Sequence, residues 1–101
     1  MMISTDDQFI HAFDHGHEFT EGELEKFCLG YYGKLIEVSI EEKKRWVNFT
    51  RTICRICGRY FALDWQEWLA DHQDNQYPDQ PYEVAKHEYE KTIKVVEWNK
   101  I

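Results

Sequence analysis

Residues 46–65, Trp-Val-Asn-Phe-Thr-Arg-Thr-Ile-Cys-Arg-Ile-Cys-Gly-Arg-Tyr-Phe-Ala-Leu-Asp-Trp, carry the fold. Trp46 to Ile56 and Arg59 to Trp65 are both rich in β-branched and aromatic residues, which suit a pleated, half-buried surface. Cys57-Gly58 lies between them, where a two-residue hairpin turn belongs. With those two residues as the turn, Cys54 faces Phe61, Thr52 faces Leu63 and Thr50 faces Trp65 on one side of the ribbon. On the other side Arg51 meets Asp64, a pair of unlike charges across the strands. Apolar groups on one face and charge on the other are what a sheet covered on one side requires.

Working outward, Ile36, Val38 and Ile40 alternate with Glu37, Ser39 and Glu41, the two-residue repeat of another half-buried strand. The charged run Glu41 to Arg45 reads as the turn that follows it. Further upstream the period lengthens to that of a helix. Thr20 with Glu23 forms a capping box, Phe19 with Leu24 a hydrophobic staple, and Leu24, Phe27, Cys28 and Tyr31 share one face of a helix over about residues 21–32. A shorter helix carries Phe9, Ile10 and Phe13, capped by Asp6 or Asp7 and stopped at Gly16. Downstream, Gln66 to Tyr77 holds at most one helical turn around Trp68 and Leu69, and Asn75, Pro78, Asp79 and Pro81 mark a loop. Tyr82 to Lys86 and Thr92 to Trp98 read as two further strands. The expected class is α+β: two N-terminal helices followed by an antiparallel β-meander of four to five strands, one domain over residues 1–101.

Nineteen acids against twelve bases leave a net charge of −7, which repels phosphate and argues against direct nucleic-acid binding. With 43% hydrophobic and 16% aromatic residues, the chain has enough apolar surface to fold. No stretch is long and apolar enough to span a membrane, and the start, Met-Met-Ile-Ser-Thr-Asp-Asp, lacks the layout of a signal peptide. The expectation is a cytoplasmic protein without membrane attachment.

Three cysteines cannot all pair within one chain, and a reducing cytosol keeps them as thiols or metal ligands. Cys54-Arg55-Ile56-Cys57-Gly58 has the form of a C-x-x-C-G knuckle, half of a structural zinc site. The second half is missing, so the remaining ligands come from Cys28, His11, His15, His17, His72 or His87. In a meander the strand from Tyr82 runs back toward the hairpin tip, which makes His87 the first choice as third ligand and Cys28 the fourth. The alternative is that Cys54 is a small core residue and Cys57 merely occupies the turn. His11 and His15 share a helical face at a spacing that can hold a metal, although exposed surface histidines explain them equally well. No nucleophile stands beside a base and no carboxylate pair marks a pocket, so no enzyme is expected.

The acids are more informative. Asp64, Glu67, Asp71, Asp74 and Asp79 interleave with Trp65, Trp68, Tyr77 and Tyr82. Aromatic anchors inside an acidic rim suit a basic partner, such as a protein that normally holds nucleic acid. The candidate partner-binding residues are Asp64, Glu67, Trp68, Asp71, Asp74 and Asp79.

Arg59-Tyr60-Phe61-x-Leu63-Asp64-Trp65, Gln73, Asn75-x-Tyr77, Gln80-Pro81-Tyr82-Glu83-Val84, Tyr89-Glu90-Lys91-Thr92-Ile93 and Glu97-Trp98 together resemble a group of small acidic proteins encoded by phages and prophages of Gram-positive bacteria. Some phage proteins of this size and acidity are anti-CRISPR inhibitors that block Cas9 by direct binding. The resemblance covers the second half of the chain and implies a phage-encoded inhibitor acting in the host cytoplasm. It carries over no catalytic residue. The C-x-x-C departs from the group's pattern, so zinc rests on the local residues alone. A different reading of the same residues is a zinc-knuckle adaptor in phage transcription or assembly.

Overall fold

The computed structural model describes residues 3–71, 73–90 and 94–101; the candidate ligand His72 and the Thr92-Ile93 start of the last expected strand lie outside them. Helix α1 spans Asp6–Asp14 and helix α2 spans Glu21–Cys28. Thr5, not Asp6 or Asp7, caps α1: its hydroxyl accepts from the Gln8 amide at 3.2 Å while Gln8 Oε1 accepts from the Thr5 amide at 3.2 Å. The two aspartates instead occupy the first turn, where the helix dipole favours negative charge. Thr20 and Glu23 cap α2 reciprocally, and Phe19 and Leu24 are both buried. This helix stops at Cys28, short of residue 32, because Leu29 is its cap and Gly30 turns to φ +80°.

Five strands follow: β1 Lys34–Lys43, β2 Val47–Ile56, β3 Arg59–Trp68, β4 Tyr82–Glu90 and β5 Lys94–Lys100. They form one antiparallel sheet in the order β1-β2-β3-β4-β5, the meander expected from the sequence. In the central hairpin Cys54 pairs with Phe61, Thr52 with Leu63, Thr50 with Trp65 and Arg51 with Asp64. Cys57 and Gly58 both have positive φ, 51° and 76°, as a type I′ turn needs to match the twist of its strands.

Three local expectations are corrected. Glu41 to Lys43 belong to β1, and the turn is confined to the residues between Lys43 and Val47, closed by the Lys44 amide on the Val47 carbonyl at 2.9 Å. Second, β1 is exposed along nearly its whole length and not half-buried, because none of its side chains joins either apolar cluster; two bulges, between Leu35 and Glu37 and between Ile40 and Glu42, each absorb one residue and carry it along β2 past the charged run. Third, there is no helical turn at Trp68 and Leu69: β3 runs through Trp68, and the Leu69 amide donates to the Trp46 carbonyl at 2.9 Å.

The helices cover one face of the sheet. Phe9 is fully buried at the centre, with ring centroids of Phe19, Tyr32, Phe61 and Phe27 at 5.0, 5.3, 5.3 and 5.8 Å, and Cys54, Ile56 and Leu63 close the sheet side of this core. The opposite face is less simply charged than the alternation suggests. Arg51 Nε does meet Asp64 Oδ1 at 2.9 Å, yet Ile53 and Ala62 beside them are fully buried with Val84, packed with Tyr60, Tyr82 and Trp98. The aromatic side chains of β3, β4 and β5 thus shield apolar positions that no helix covers. Among the described residues no helix is long and apolar enough to cross a membrane.

Candidate functional site

The hairpin tip separates the two cysteines of the knuckle. Cys54 is a strand residue directed at the helices, fully buried, with its thiol donating to the Phe27 carbonyl at 3.4 Å. Cys57 occupies the exposed turn, and its thiol meets Asp7 Oδ1 of α1 at 3.6 Å. A knuckle needs both sulfurs on one side of a tight turn. Here the turn is Cys57-Gly58 alone, so Cys54 lies three positions back on the ladder and faces the core.

Cys28 is half-buried on α2 and packs against the core cluster that contains Cys54. Burial pushes both thiols up to about 12, for Cys28 against a hydrogen bond with Thr52 that opposes the shift. Cys57 is also raised, by desolvation and then by Asp7 and Asp6. His87 stands exposed on β4 opposite Glu97, beyond Tyr60 and Val84, where the pairing of β3 with β4 ends. Among the described residues no three His, Cys, Asp or Glu side chains converge as a metal-ligand group. The structure therefore brings Cys28 to Cys54 and leaves Cys57 and His87 outside a shared ligand set.

The three N-terminal histidines also divide. His11 and His15 lie with ring centroids 4.1 Å apart, and His15 Nδ1 is 2.8 Å from the His11 carbonyl, closing the end of α1. His17 reaches away to Glu23 Oε1 at 3.1 Å.

The acidic and aromatic residues between 64 and 82 form a better-defined surface. The loop joining β3 to β4 is tied down at Leu69, Asn75, Gln76 and Gln80. The Gln66 and Gln76 backbones exchange hydrogen bonds of 2.8 and 2.9 Å, and Asn75 Oδ1 accepts from the Trp68 amide at 3.0 Å. Gln80 grips the Phe19 backbone with both ends of its amide, at 2.7 and 3.1 Å. Tyr77 stacks on Trp65 with ring centroids 5.7 Å apart, and Trp65 Nε1 donates to Thr52 Oγ1 at 2.9 Å. Burial raises the Tyr77 phenol to about 12, helped by Cys28, Glu25 and Glu21 and opposed by a hydrogen bond from Asn75.

A shallow groove of about 450 Å³ runs between α2 and this loop, lined by Glu21, Gln73, Asp74, Asn75, Gln76, Tyr77 and Pro78. A helix carboxylate and a loop carboxylate thus share one depression, with the edge of Tyr77 between them. Comparison with family models, with curated proteins and with solved structures gives no match.

The six partner-binding candidates fall into two sets. Asp64 and Glu67 are engaged within the protein, Asp64 by Arg51 and by the Tyr82 hydroxyl at 3.1 Å, Glu67 by Asn48 Nδ2 at 3.0 Å. Trp68 is half-buried with its indole N–H enclosed and without an acceptor among the described residues, and its backbone amide, not its ring, holds Asn75 of the loop. Asp71, Asp74 and Asp79 are exposed and form no ion pair among the described residues.

Sequence reasoning misses Glu21 as a wall of the groove, Gln80 as the clamp and Arg59 as the brace. Arg59 donates bidentately to Asp14 at 2.9 and 3.0 Å and to Glu83 at 2.9 and 3.1 Å, joining α1 to β4 across the hairpin. All three partnerships span long sequence separations, and no local motif announces them.

Proposed function

We propose that this protein is a non-enzymatic binding protein whose acidic loop and groove occupy a basic, nucleic-acid-binding surface of a protein partner. Cas9 is the most concrete partner, because the sequence resemblance implies a phage-encoded inhibitor and because Cas9 holds its guide–target duplex in a positively charged channel. The observation that carries the reading is the division of the charges. Arg51 and Arg59, in the body of the sheet, are each matched by two carboxylates, Asp64 with Glu41 and Asp14 with Glu83. The carboxylates of Asp71, Asp74 and Asp79 stand exposed on a loop fastened to β3 by the Gln76 backbone and the Asn75 side chain, and to the segment before α2 by the Gln80 side chain. Negative charge in no ion pair among the described residues is available to a partner, and a fastened loop loses little conformational freedom on binding. The inhibition would be competitive: the carboxylates stand where phosphates otherwise lie.

Binding to purified Cas9, with and without guide RNA, tests this by biolayer interferometry and by inhibition of target cleavage. The triple variant D71N/D74N/D79N should fold normally, associate about tenfold more slowly and lose most of the salt dependence of binding, since exposed charge acts through a field screened over roughly 8 Å at physiological salt. Binding that is absent, or equal in the triple variant and flat with salt, refutes the proposal.

A further inference from the structure

We propose that one edge of the sheet, strand β1, is a self-association surface through which two copies of this chain pair antiparallel about a two-fold axis. β1 stands at one end of the strand order, so the outward backbone N–H and C=O groups of a ten-residue strand have no neighbouring strand. Edge strands of this length template pairing unless bulges or charges blunt them, and here both bulges and all the charges but Glu37 lie outside the segment from Glu37 to Ile40. The apolar surface points the same way. Of the ten large apolar side chains exposed among the described residues, six are Leu29, Tyr31, Leu35, Ile36, Val38 and Ile40, on β1 and the end of α2 that leads into it. Val38, 51% exposed, sits at the centre of the strand. A concentrated apolar patch beside an unpaired edge marks an interaction surface where scattered single residues would not.

The strand's own sequence selects a second copy as the occupant. Antiparallel partners share a face of the sheet, so a two-fold axis must pass through a residue and cannot pass between two. With the axis at Val38, Val38 meets its own copy, Glu37 meets Ser39, Ile36 meets Ile40 and Lys34 meets Glu42. At the centre apolar residues fall on apolar residues, next to them Leu35 falls on Glu41, and the charges of Lys34 and Glu42 near the ends are opposite. With the axis at Ser39, Glu37 would meet Glu41 across the strands, a like-charge pair that destabilises. Within one chain Glu42 has a loose exposed contact with Lys44 at 3.9 Å, while Lys34 has no ion pair among the described residues. The bulges beside Ile36 and Glu41 bracket the regular segment from Glu37 to Ile40, which leaves that segment as the pairing core. The pairing segment Glu37–Ile40 shares no residue with the acidic groove between α2 and the β3–β4 loop, and the inference does not rest on the proposed partner.

Sedimentation equilibrium of the full chain across a range of concentrations should show reversible conversion of the 12.3 kDa monomer to a species of twice that mass. V38K places two like charges on the axis and should leave only monomer. Circular dichroism should match the parent, because the side chain is exposed. K34E and E42K should each weaken dimerisation about tenfold, since each reverses a cross-strand pair that occurs twice, and the K34E/E42K double variant should recover it. These exposed changes decide the matter even if V38K fails to fold. A chain that stays monomeric throughout, a dimer indifferent to V38K, or a double variant no better than the singles overturns the inference.

Discussion

Removing the Phe9 ring should be the most damaging single truncation in the helix-covered core. Phe9 is fully buried and is surrounded by four aromatic rings, three at 5.0 to 5.3 Å and Phe27 at 5.8 Å, with Phe61 meeting it edge-on from the sheet. Phe→Ala in a core costs about 3–5 kcal/mol from lost transfer energy and the cavity left behind. Each aromatic pair adds roughly 0.5–1.5 kcal/mol beyond its buried area, which places Phe9→Ala at the upper end, about 5 kcal/mol. A domain of 101 residues has a total stability of roughly 5–15 kcal/mol, so this variant should be at best marginally folded at room temperature. Phe9→Leu keeps most of the volume and should cost about 1.5 kcal/mol, lowering the melting temperature by roughly 6–12 °C. The exposed control Leu29→Ala, at a position 63% accessible, should change stability by no more than about 0.5 kcal/mol. Urea and thermal unfolding followed by circular dichroism supply all three values. A Phe9→Ala cost below about 1.5 kcal/mol, or a Leu29→Ala cost equal to it, would mean that α1 does not dock on the sheet as described.

Two further outcomes follow from particular side chains. Cys57 adopts φ 51°, a left-handed conformation that costs a non-glycine residue about 1 kcal/mol, so Cys57→Asn, which creates the favoured Asn-Gly turn, should raise the unfolding midpoint. If Cys57 instead holds a structural zinc, as the knuckle motif suggests, the same change lowers the midpoint and releases metal, which atomic absorption on the purified protein detects. Arg59 holds the Asp14 carboxyl below its usual range through its side-chain hydrogen bonds, and Glu23 is also lowered, burial pushing it up but bonds from Thr20 and His17 outweighing that. A carboxylate with a depressed folded pKa stabilises above its unfolded value and loses that contribution as pH falls through the folded value. Stability should therefore decline as pH drops below about 4.5, the ordinary value for a glutamate, and Arg59→Gln should shrink the part that Asp14 supplies. Urea midpoints from pH 7 to pH 2 measure this, and an Arg59→Gln profile parallel to the parent's contradicts the assigned cause.

The parts of this protein legible in the sequence are those governed by neighbours along the chain. The β2–β3 hairpin is the clearest case. A two-residue turn leaves no slack, so once Cys57-Gly58 is recognised, every cross-strand pair from Cys54–Phe61 to Thr50–Trp65 follows by counting. The Thr20–Glu23 cap is equally local, involving residues three apart. Element ends were less legible, because the Leu35/Glu37 and Ile40/Glu42 bulges let β1 absorb two residues that interrupt its alternation and continue into a charged run.

The tertiary structure decided everything that depends on which distant groups meet. Spacing made Cys54 and Cys57 look like a ligand pair, but the packing of α2 over β2 gives Cys54 to the Phe27 carbonyl and the approach of α1 gives Cys57 to Asp7. Composition marked six residues of the acidic stretch as equivalent. Only the fold separates Asp64 and Glu67, consumed by Arg51 and Asn48, from Asp71, Asp74 and Asp79, which remain exposed. The physical reason is one of range. Turn, cap and strand preferences act over a few residues and are written in order along the chain. Burial, ion pairing and side-chain hydrogen bonds, such as that between Phe19 and Gln80, 61 residues apart, exist only once the sheet and helices have closed on each other.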